Sequence, residues 1–406
     1  MNRPKKQSSK PVAPTARVVG LDIHPDIFTA CLLIGETNRN SRIEKRFRDL
    51  PVSGLEAWAS QHLTSRDLVL LEASANSFEA VRRLEKLGLK ACVLESHQVS
   101  KTASGYLDDD LIASERIARS YLTGMSKVVW VPDTKTSEYR ELLHAYQKAK
   151  KLQTQSINEL KSYLNQYHIR LGKRSPRLEK TREWILAQRI WTPLQEVLLR
   201  RHFDQLNFAC EQAEQLYGLI CREVLEDPRM AGCLRLLGIG PVNAFAIVAT
   251  VGDITRFSSP QKLANYLGLT PGRRESGKGK KINIGIGCRG RKEMRTLLMQ
   301  GAQAVMRQKQ GANELRDWGW RLFMRKGNRN VAVAGVARKL TVQLWHLLKG
   351  HGVTLEEQKK SLERKLQKLL RALGKDLRQT MALPKKVSDC VAQIMKQIDE
   401  PLPQTT

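Results

Sequence analysis

Two short apolar runs in the first quarter of the chain set narrow limits on its fold, because each has the length of a strand and reaches an acidic residue near its end. Residues 17–24, RVVGLDIH, are rich in β-branched side chains and contain Asp22. Residues 67–74, DLVLLEAS, are apolar from Leu68 to Leu71 and then reach Glu72. Runs of this kind, too short for typical helices, predict buried strands of a sheet.

The segments around these runs predict an α/β domain. Residues 28–35 form another apolar run after a short turn, and residues 42–49 alternate charged and apolar side chains as an edge strand does. Helices are predicted at 54–63, 77–89 and 110–122, and further strands at 90–96 and 127–132. The apolar face of the helix at 110–122 is predicted to comprise Ile112, Ile117, Ala118, Tyr121 and Leu122. Three strands followed by alternating helices and strands indicate a mixed sheet.

A long helical stretch, about 134–227, follows this domain. Its second half has an apolar seam with alternating spacings of four and three: Leu199, Phe203, Leu206, Cys210, Ala213, Tyr217 and Ile220. Residues 172–180 would join two long antiparallel helices into a hairpin. The seam would then either pack within this hairpin or serve as the arm of a dimer, and the pattern leaves both interpretations open.

The remaining chain is predicted to be mainly helical. The sequence GIGP, with Gly238 and Gly240, lies between two apolar helices and resembles the turn of a helix-hairpin-helix. Such glycines let backbone N–H groups approach a phosphate, but they also serve as an ordinary turn. A serine followed by Pro260 predicts the start of another helix. The segment from residue 351 onward, dense in Lys, Arg and Leu, is predicted to be a basic helical tail.

The charge of the chain indicates its partners. A formal net charge of +29 favours a polyanion, such as a nucleic acid or an anionic membrane. No apolar run approaches the roughly 18 residues of a spanning helix, so we expect no membrane partner. Residues 1–16 lack an apolar secretory core and are predicted to be a disordered basic arm. Seven scattered cysteines without a CxxC pair argue against a zinc ribbon or disulfide framework and for the cytoplasm.

The basic charge is densest between residues 271 and 295. Nine basic side chains stand there against two acidic ones: Arg273, Arg274, Lys278, Lys280, Lys281, Arg289, Arg291, Lys292 and Arg295. Such a glycine-rich stretch predicts strong, salt-sensitive contacts with phosphates, although a solvated loop has the same composition. Ser276 lies within it, and no neighbouring His/Asp pattern supplies a base, so the local residues alone favour a non-nucleophilic role.

The acidic residues suggest a metal site. Carboxylates on neighbouring strand ends, such as Asp22 and Glu72, converge at one edge of a sheet and repel one another unless a divalent cation lies among them. A solvated Asp and an Arg-paired Glu are the simpler interpretation. Three further acids, Asp108, Asp109 and Asp110, precede or begin a predicted helix, where capping is an alternative to metal binding.

Taken in order, these motifs resemble the DEDD-type insertion-sequence transposases, a family that includes Piv/MooV-like DNA invertases and bridge-RNA-guided serine recombinases. The resemblance runs from about residue 17 to 350 and rests on VVGLDIHPD, VLLEASAN, an acidic motif before an IA helix, LLGIGPVNA, and GLTPGRRESGKGK with a downstream RKEMRTLL helix. No single motif is decisive, but the ordered set is quite specific.

The resemblance implies a RuvC-like domain of the RNase H fold that binds Mg²⁺ or Mn²⁺ through four acidic residues. Asp22, Glu72 and Asp110 match the first three positions. Ala113 stands at the fourth, where a methyl group cannot bind a metal. Asp108 or Asp109 could substitute by a local shift, but both lie on another part of the helix start. The simpler hypothesis is that Ala113 replaces an Asp, in which case this copy would be catalytically impaired. Ser276 matches the family's nucleophile.

The resemblance also implies partners and a place of action. The helical hairpin would be a coiled-coil insertion used in dimerisation, and the chain would work as a dimer or tetramer on donor and target DNA with a guide (bridge) RNA. It would act in the prokaryotic cytoplasm at the nucleoid. The predicted divisions are 1–16 basic arm, 17–133 RuvC-like domain, 134–227 coiled-coil hairpin, 228–350 transposase domain with the serine, and 351–406 basic tail.

Two other functions remain open at the level of sequence. A RuvC-like nuclease or junction resolvase would use the carboxylates and water, and Ser276 would be dispensable. A non-catalytic nucleic-acid-binding protein would use only the basic stretch and the GIGP turn.

Overall fold

The computed structural model describes residues 17–101, 109–188, 190–274, 282–287, 290–308, 313–351 and 359–399. The chain divides into two compact units, Met1–Asp133 and Thr134–Thr406. The first is a mixed α/β unit, and the second is mainly helical. The predicted α/β plus α class is therefore confirmed.

The first unit is built on a six-stranded mixed sheet in the order β3-β2-β1-β4-β5-β6. The strands are β1 (Val18–Ile23), β2 (Ile27–Ile34), β3 (Arg42–Pro51), β4 (Leu68–Glu72), β5 (Lys90–Leu94) and β6 (Val128–Val129). Strands β1, β4 and β5 run parallel, and the other pairs are antiparallel. Strand β3 lies at one edge and is mostly exposed, as its alternating charges predict.

Helices cover both faces of this sheet. They are α1 (Leu55–His62), α2 (Ser77–Lys86), α3 (Ser96–Ser100) and α4 (Asp110–Leu122). Because side chains alternate along a strand, Leu21 and Leu71 pack towards α1 and α2, whereas Leu68 and Leu70 pack towards α4. The prediction for the apolar face of α4 was wrong at Ile112, which is 40% exposed. At about 100° per residue, Ile112 lies roughly 140° around the helix from Ile117 and so faces another direction.

The second unit begins with a hairpin of two long helices, α5 (Thr134–Gln166) and α7 (Pro193–Glu226), with α6 (Glu179–Leu186) between them. Their antiparallel pairing is evident because Lys135 Nζ lies 3.0 Å from Glu223 Oε2, while Gln153 Nε2 donates to Cys210 Sγ over 3.1 Å. Five of the seven predicted seam residues are buried within this unit: Leu199, Phe203, Leu206, Ala213 and Ile220. Packing within the hairpin therefore accounts for most of the seam, and the dimer arm stays a prediction.

The rest of this unit surrounds the apolar helix α9. Its elements are α8 (Pro228–Cys233), α9 (Pro241–Val251), α10 (Pro260–Tyr266), β7 (Pro271–Arg274), β8 (Ile282–Ile286), α11 (Lys292–Arg307), α12 (Glu314–Lys326), α13 (Arg329–Leu348), α14 (Lys359–Thr380) and α15 (Val387–Asp399). Ser259 caps α10 and Pro260 is its first residue, as predicted. The antiparallel β7–β8 pair within the basic stretch was not predicted. In the described segments, no helix is both long and apolar enough to cross a membrane.

Candidate functional site

A glycine brings helix α4 against the sheet. A Cβ added to Gly20 in β1 would lie 1.8 Å from the Ser114 carbonyl oxygen and 2.9 Å from the Ala118 nitrogen. A side chain at this position would therefore have to displace the helix backbone. With glycine in place, the first turn of α4 lies beside the carboxyl ends of the parallel strands.

The register of β1 and β4 brings two carboxylates together at this edge. Leu21 pairs with Leu71 in the parallel ladder, so Asp22 and Glu72 follow at the same level of the sheet. Both occupy positions on the α4 side, because they alternate with Leu21 and Leu71, which face α1 and α2. The predicted convergence of strand-end carboxylates is thus present in the fold.

These residues line an open cleft of about 410 Å³. Four carboxylate residues line it, and its wall also includes a histidine, an alanine and an arginine: Asp22, Glu72, Asp109 and Asp110, with His24, Ala113 and Arg116. Three ligand-type atoms, one each from Asp22, His24 and Asp110, lie within 4.8 Å of one another. All three carboxylates named from the sequence thus line the cleft, together with the alanine at the fourth position. Among the described residues, however, the close group of ligand-type atoms includes Asp22 and Asp110 but not Glu72.

Sequence reasoning missed His24. Its Nε2 lies 3.7 Å from Asp22 Oδ2 and 3.6 Å from Asp110 Oδ1. The signal was available, because residues two apart along a strand project to the same face, and His24 is two residues beyond Asp22. Its position one residue after β1, before Pro25, made it look like part of the turn alone.

The acids at the start of α4 have separate roles. Asp109 is the N-cap, and its Oδ1 accepts a hydrogen bond from the Ile112 amide over 2.9 Å. This bond holds the pKa of Asp109 below its ordinary value. Asp110 is the first helical residue and approaches His24 in the cleft. Asp108 lies outside the described residues.

The donor set of the cleft fits a divalent cation. Carboxylate oxygens are ligands for Mg²⁺ and Mn²⁺, and an imidazole nitrogen is a common ligand for transition metals. Asp22 and Asp110 are partly exposed, with side-chain exposures of 21% and 39%, so an ion there would keep water or phosphate oxygens in its shell. Ala113 adds only a methyl group to the wall.

The two glycines of the GIGP turn differ in the second unit. Gly238 has a φ of +81°, and an added Cβ would lie 2.4 Å from the Gly301 carbonyl oxygen, so packing against α11 requires it. Gly240 is the N-cap of α9, and nothing lies within 4 Å of a Cβ added to it. The structural reason for glycine is therefore clear at Gly238, whereas the phosphate contact of either residue stays a prediction.

The basic stretch is only partly described. Arg273 and Arg274 belong to β7, and Arg291 is the N-cap of α11. The Arg291 guanidinium lies over the Tyr266 ring, with Cζ 5.7 Å from the centroid, and Nη2 donates to the Tyr266 hydroxyl over 3.4 Å. Ser276, Lys278, Lys280, Lys281 and Arg289 lie outside the described residues, so their predicted roles stay predictions.

The fold and the cleft define a mixed α/β protein with a cation-compatible acidic cleft at the carboxyl edge of its sheet, joined to a mainly helical unit. Within that second unit, residues 234–316 match the model of the Transposase IS116/IS110/IS902 family. The matched segment includes the GIGP turn and the β7–β8 pair.

Curated relatives extend the similarity over most of the chain. The transposase for insertion sequence element IS1111A of Coxiella burnetii is 22% identical over 82% of this chain and 89% of its own length. The transposase for insertion sequence element IS1328 of Yersinia enterocolitica is 22% identical over 82% of this chain and 96% of its own length. The chain is thus similar to insertion-sequence transposases over most of its length, and residues 234–316 are similar to the family that includes IS110.

Proposed function

We propose that this protein is an insertion-sequence transposase that cuts and rejoins DNA strands. The observation that carries the proposal is the convergence of Asp22, Glu72 and Asp110 in one cleft, in a chain whose relatives are named transposases. The net charge of +29 supports a nucleic-acid substrate.

The first unit would be a RuvC-like domain, as the sequence resemblance implies. Asp22, Glu72 and Asp110 would hold Mg²⁺ or Mn²⁺, and His24 lies within reach of the first and third of these carboxylates. When bound, the cation would stabilise negative charge that develops on a scissile phosphate. The carboxylates would repel a phosphate, and the bound cation would offset this repulsion.

Ser276 would act as the nucleophile. Its Oγ would form a bond to the scissile phosphorus as the hydroxyl proton passes to water, and the bond from phosphorus to the 3′ oxygen would break as that oxygen takes a proton from water. The products are a phosphoserine and a free 3′-hydroxyl. A 3′-hydroxyl from another strand would then attack the phosphoserine, restore the DNA backbone and release the serine. One phosphoester replaces another at each step, so no ATP is needed.

Cations of the second unit would hold the substrates. Arg273, Arg274, Lys278, Lys280, Lys281, Arg289 and Arg291 would neutralise phosphates of donor and target DNA, and backbone groups near Gly238 and Gly240 would approach the same backbone. A guide (bridge) RNA would supply sequence recognition. The reaction would take place in the prokaryotic cytoplasm, at the nucleoid.

The active form would be a homo-oligomer, a dimer or a tetramer. Helix α7 supports this, because it carries exposed apolar side chains outside its internal seam: Leu194 is 69% exposed, Val197 63% and Phe208 57%. Exposed apolar residues on a long helix favour association with another helix. The hairpin would thus pack internally through one face and pair with a second copy through another.

Ala113 would impair this copy. It lies one helical turn beyond Asp110, in the wall of the cleft, where a carboxylate would complete a fourth acidic position. Ala113→Asp tests whether the missing acid limits catalysis, and it should raise strand exchange. Unchanged strand exchange after this substitution would rule out the missing acid as the limiting factor.

The test of the proposed function is a denaturing gel of the protein incubated with labelled target DNA, co-purified RNA and Mg²⁺, in the wild-type and Ala113→Asp backgrounds. A covalent protein–DNA band that disappears in Ser276→Ala, but survives in the matched surface variant Ser100→Ala, is the expected result. Free cut ends without an adduct would instead indicate a metal-dependent nuclease or resolvase. Tight binding with neither product in both backgrounds would indicate a binding protein.

A further inference from the structure

Two hydrogen bonds fix the backbone of His24 beside the carboxylates of the cleft. The His24 amide donates to the Ile27 carbonyl oxygen over 2.9 Å, which closes the turn between β1 and β2. The carbonyl oxygen of His24 accepts a hydrogen bond from Asn76 Nδ2 over 2.8 Å. Asn76 lies in the segment between β4 and α2, so the turn is fastened to the loop that follows Glu72.

The distances around His24 are close to those of a coordination shell. Ligands about 2.1 Å from one ion are separated by about 3.0 Å when they are adjacent in an octahedron and about 3.4 Å in a tetrahedron. His24 Nε2 is 3.7 Å from Asp22 Oδ2 and 3.6 Å from Asp110 Oδ1. The three ligand-type atoms all lie within 4.8 Å of one another, so small rotations of these partly exposed side chains would bring them onto one cation.

We propose that His24 Nε2 is a metal ligand, so that this chain has a mixed nitrogen and oxygen centre in place of a purely acidic one. The imidazole then supplies the donor that Ala113 cannot. Because nitrogen ligands favour later first-row transition metals, the centre should prefer Co²⁺ over Mg²⁺ more strongly than carboxylates and water alone would. The inference rests on the proposed function only in requiring that the cleft binds a divalent cation.

A competing role for His24 makes the opposite prediction. A protonated imidazole 3.6–3.7 Å from two carboxylates would be a counterion that a metal must displace. Removing it would strengthen the binding of Co²⁺ and Mg²⁺ alike. Removing a ligand, in contrast, weakens binding and does so most for Co²⁺. The sign of the change therefore separates the two roles.

The test is calorimetric titration of the full-length protein with Co²⁺ and with Mg²⁺, in wild type, His24→Ala and the exposed control His97→Ala. We expect His24→Ala to weaken Co²⁺ binding at least about tenfold, as loss of a metal-site interaction typically does, with a change of less than about threefold for Mg²⁺. His97→Ala should match wild type. Pulsed EPR of the Mn²⁺-loaded protein should show a ¹⁴N coupling that His24→Ala removes.

Two further variants test the proposal from other directions. His24→Asp should restore an all-oxygen shell and reduce the preference for Co²⁺ over Mg²⁺. Asn76→Ala should weaken Co²⁺ binding by less than His24→Ala does, because Asn76 only positions the turn. Circular dichroism would verify that each variant is folded.

Several results would overturn the inference. Equal losses for both ions, a gain for both ions, or the absence of nitrogen coupling would each exclude His24 as a ligand. If Glu72→Gln abolishes binding while His24→Ala does not alter it, the cation of the proposed function stands and the histidine ligand fails. If no divalent ion binds at all, both fail, whereas the Ser276-dependent adduct remains a separate measure of transposase chemistry.

Discussion

The acidic cleft of the first unit and the basic stretch of the second unit depend on sequence in different ways. In the cleft, Asp22 and Glu72 come from strands whose hydrogen-bonded register places them side by side, and a glycine admits the helix that carries Asp110. In the stretch 271–295, nine basic side chains stand against two acidic ones, and its described part includes the short β7–β8 pair and the start of α11. The cleft therefore depends on the exact positions of a few residues, whereas the basic stretch depends on the number of its cations.

This contrast suggests a division of labour. A few carboxylates at fixed separations suit a cation, which demands a defined shell of oxygen ligands. A dense set of cations suits a phosphate backbone, whose binding depends on the number of charges neutralised more than on the position of any one. The proposed reaction requires both, with Ser276 in the basic stretch and the metal ligands in the cleft.

The test with the largest expected effect inactivates the cleft in one chain and the basic stretch in another, and then mixes the two chains. Glu72→Ala removes a carboxylate from the cleft, and Ser276→Ala removes the proposed nucleophile, so we expect each variant alone to lose strand exchange completely. If the active site combines the cleft of one protomer with the serine of another, a mixture of the two variants should recover activity. The measurement is strand exchange on donor and target DNA, performed in the Ala113→Asp background.

A mixture of Glu72→Ala with an Asp22→Ala chain is the matched control, because both lesions then lie in the cleft and no complete site can form. Recovery only in the first mixture supports a composite site. Two inert proteins that stay inert in both mixtures, despite forming mixed oligomers, would contradict it.

The next test disturbs the packing of α4 against β1, which positions Asp110 in the cleft. Gly20→Val places a branched side chain where even a Cβ would lie 1.8 Å from the Ser114 carbonyl oxygen. We expect the unfolding free energy to fall by about 3 kcal/mol, as overpacking does, and cation binding to weaken because α4 and Asp110 must move. Chemical denaturation and calorimetric titration would measure the two effects.

Gly54→Ala serves as the control for Gly20→Val. The nearest atom to a Cβ added at Gly54 is the Pro51 side-chain carbon Cγ at 3.8 Å, an ordinary contact. Its stability should stay within about 0.5 kcal/mol of wild type and its cation affinity should be unchanged. An equal loss in both variants would mean that Gly20 does not set the position of α4.

The same contrast explains how much could be predicted from the sequence. The strands that carry Asp22 and Glu72 were predictable because apolar runs bounded by polar residues define strands, and parallel neighbours bring their ends together. His24 was missed because it follows the strand and precedes a proline, which draws attention to the turn instead of to the face it shares with Asp22.

Elsewhere the sequence was less informative. Ile112 was assigned to the apolar face of α4 because it is apolar, although at about 100° per residue it lies roughly 140° around the helix from Ile117. Strands β7 and β8 were missed because glycines and cations in that stretch are typical of loops, and only backbone pairing between Arg273 and Asn283 and their neighbours reveals the ladder. The role of Ser276 stays a prediction that depends on the resemblance and not on its neighbours.

The last test concerns the contacts that hold the GIGP turn, the predicted phosphate-binding turn of the second unit, in place. Lys365 of α14 donates from Nζ to the carbonyl oxygens of Leu234 and Leu236, each over 2.7 Å, just before the GIGP turn. Burial of this ammonium lowers its pKa to about 7. The two regions thus differ in what positions them. The lack of a side chain at Gly20 lets α4 pack at the cleft, whereas hydrogen bonds from the buried Lys365 amine hold the segment before the GIGP turn.

The lowered pKa of Lys365 predicts how stability depends on pH. Between about pH 7 and the ordinary lysine pKa of about 10.4, the unfolded chain binds a proton at this site that the folded chain has largely lost, so the unfolding free energy rises with pH. We expect wild type to gain about 2 kcal/mol more than Lys365→Met between pH 7 and 9.5, because the two carbonyls favour the charged amine and offset part of the desolvation. Lys360→Met, an exposed lysine on the same helix, should keep the wild-type slope. If denaturation gives the same slope for all three proteins, the ammonium of Lys365 is not enclosed, and the segment before the GIGP turn must be held by its apolar contacts alone.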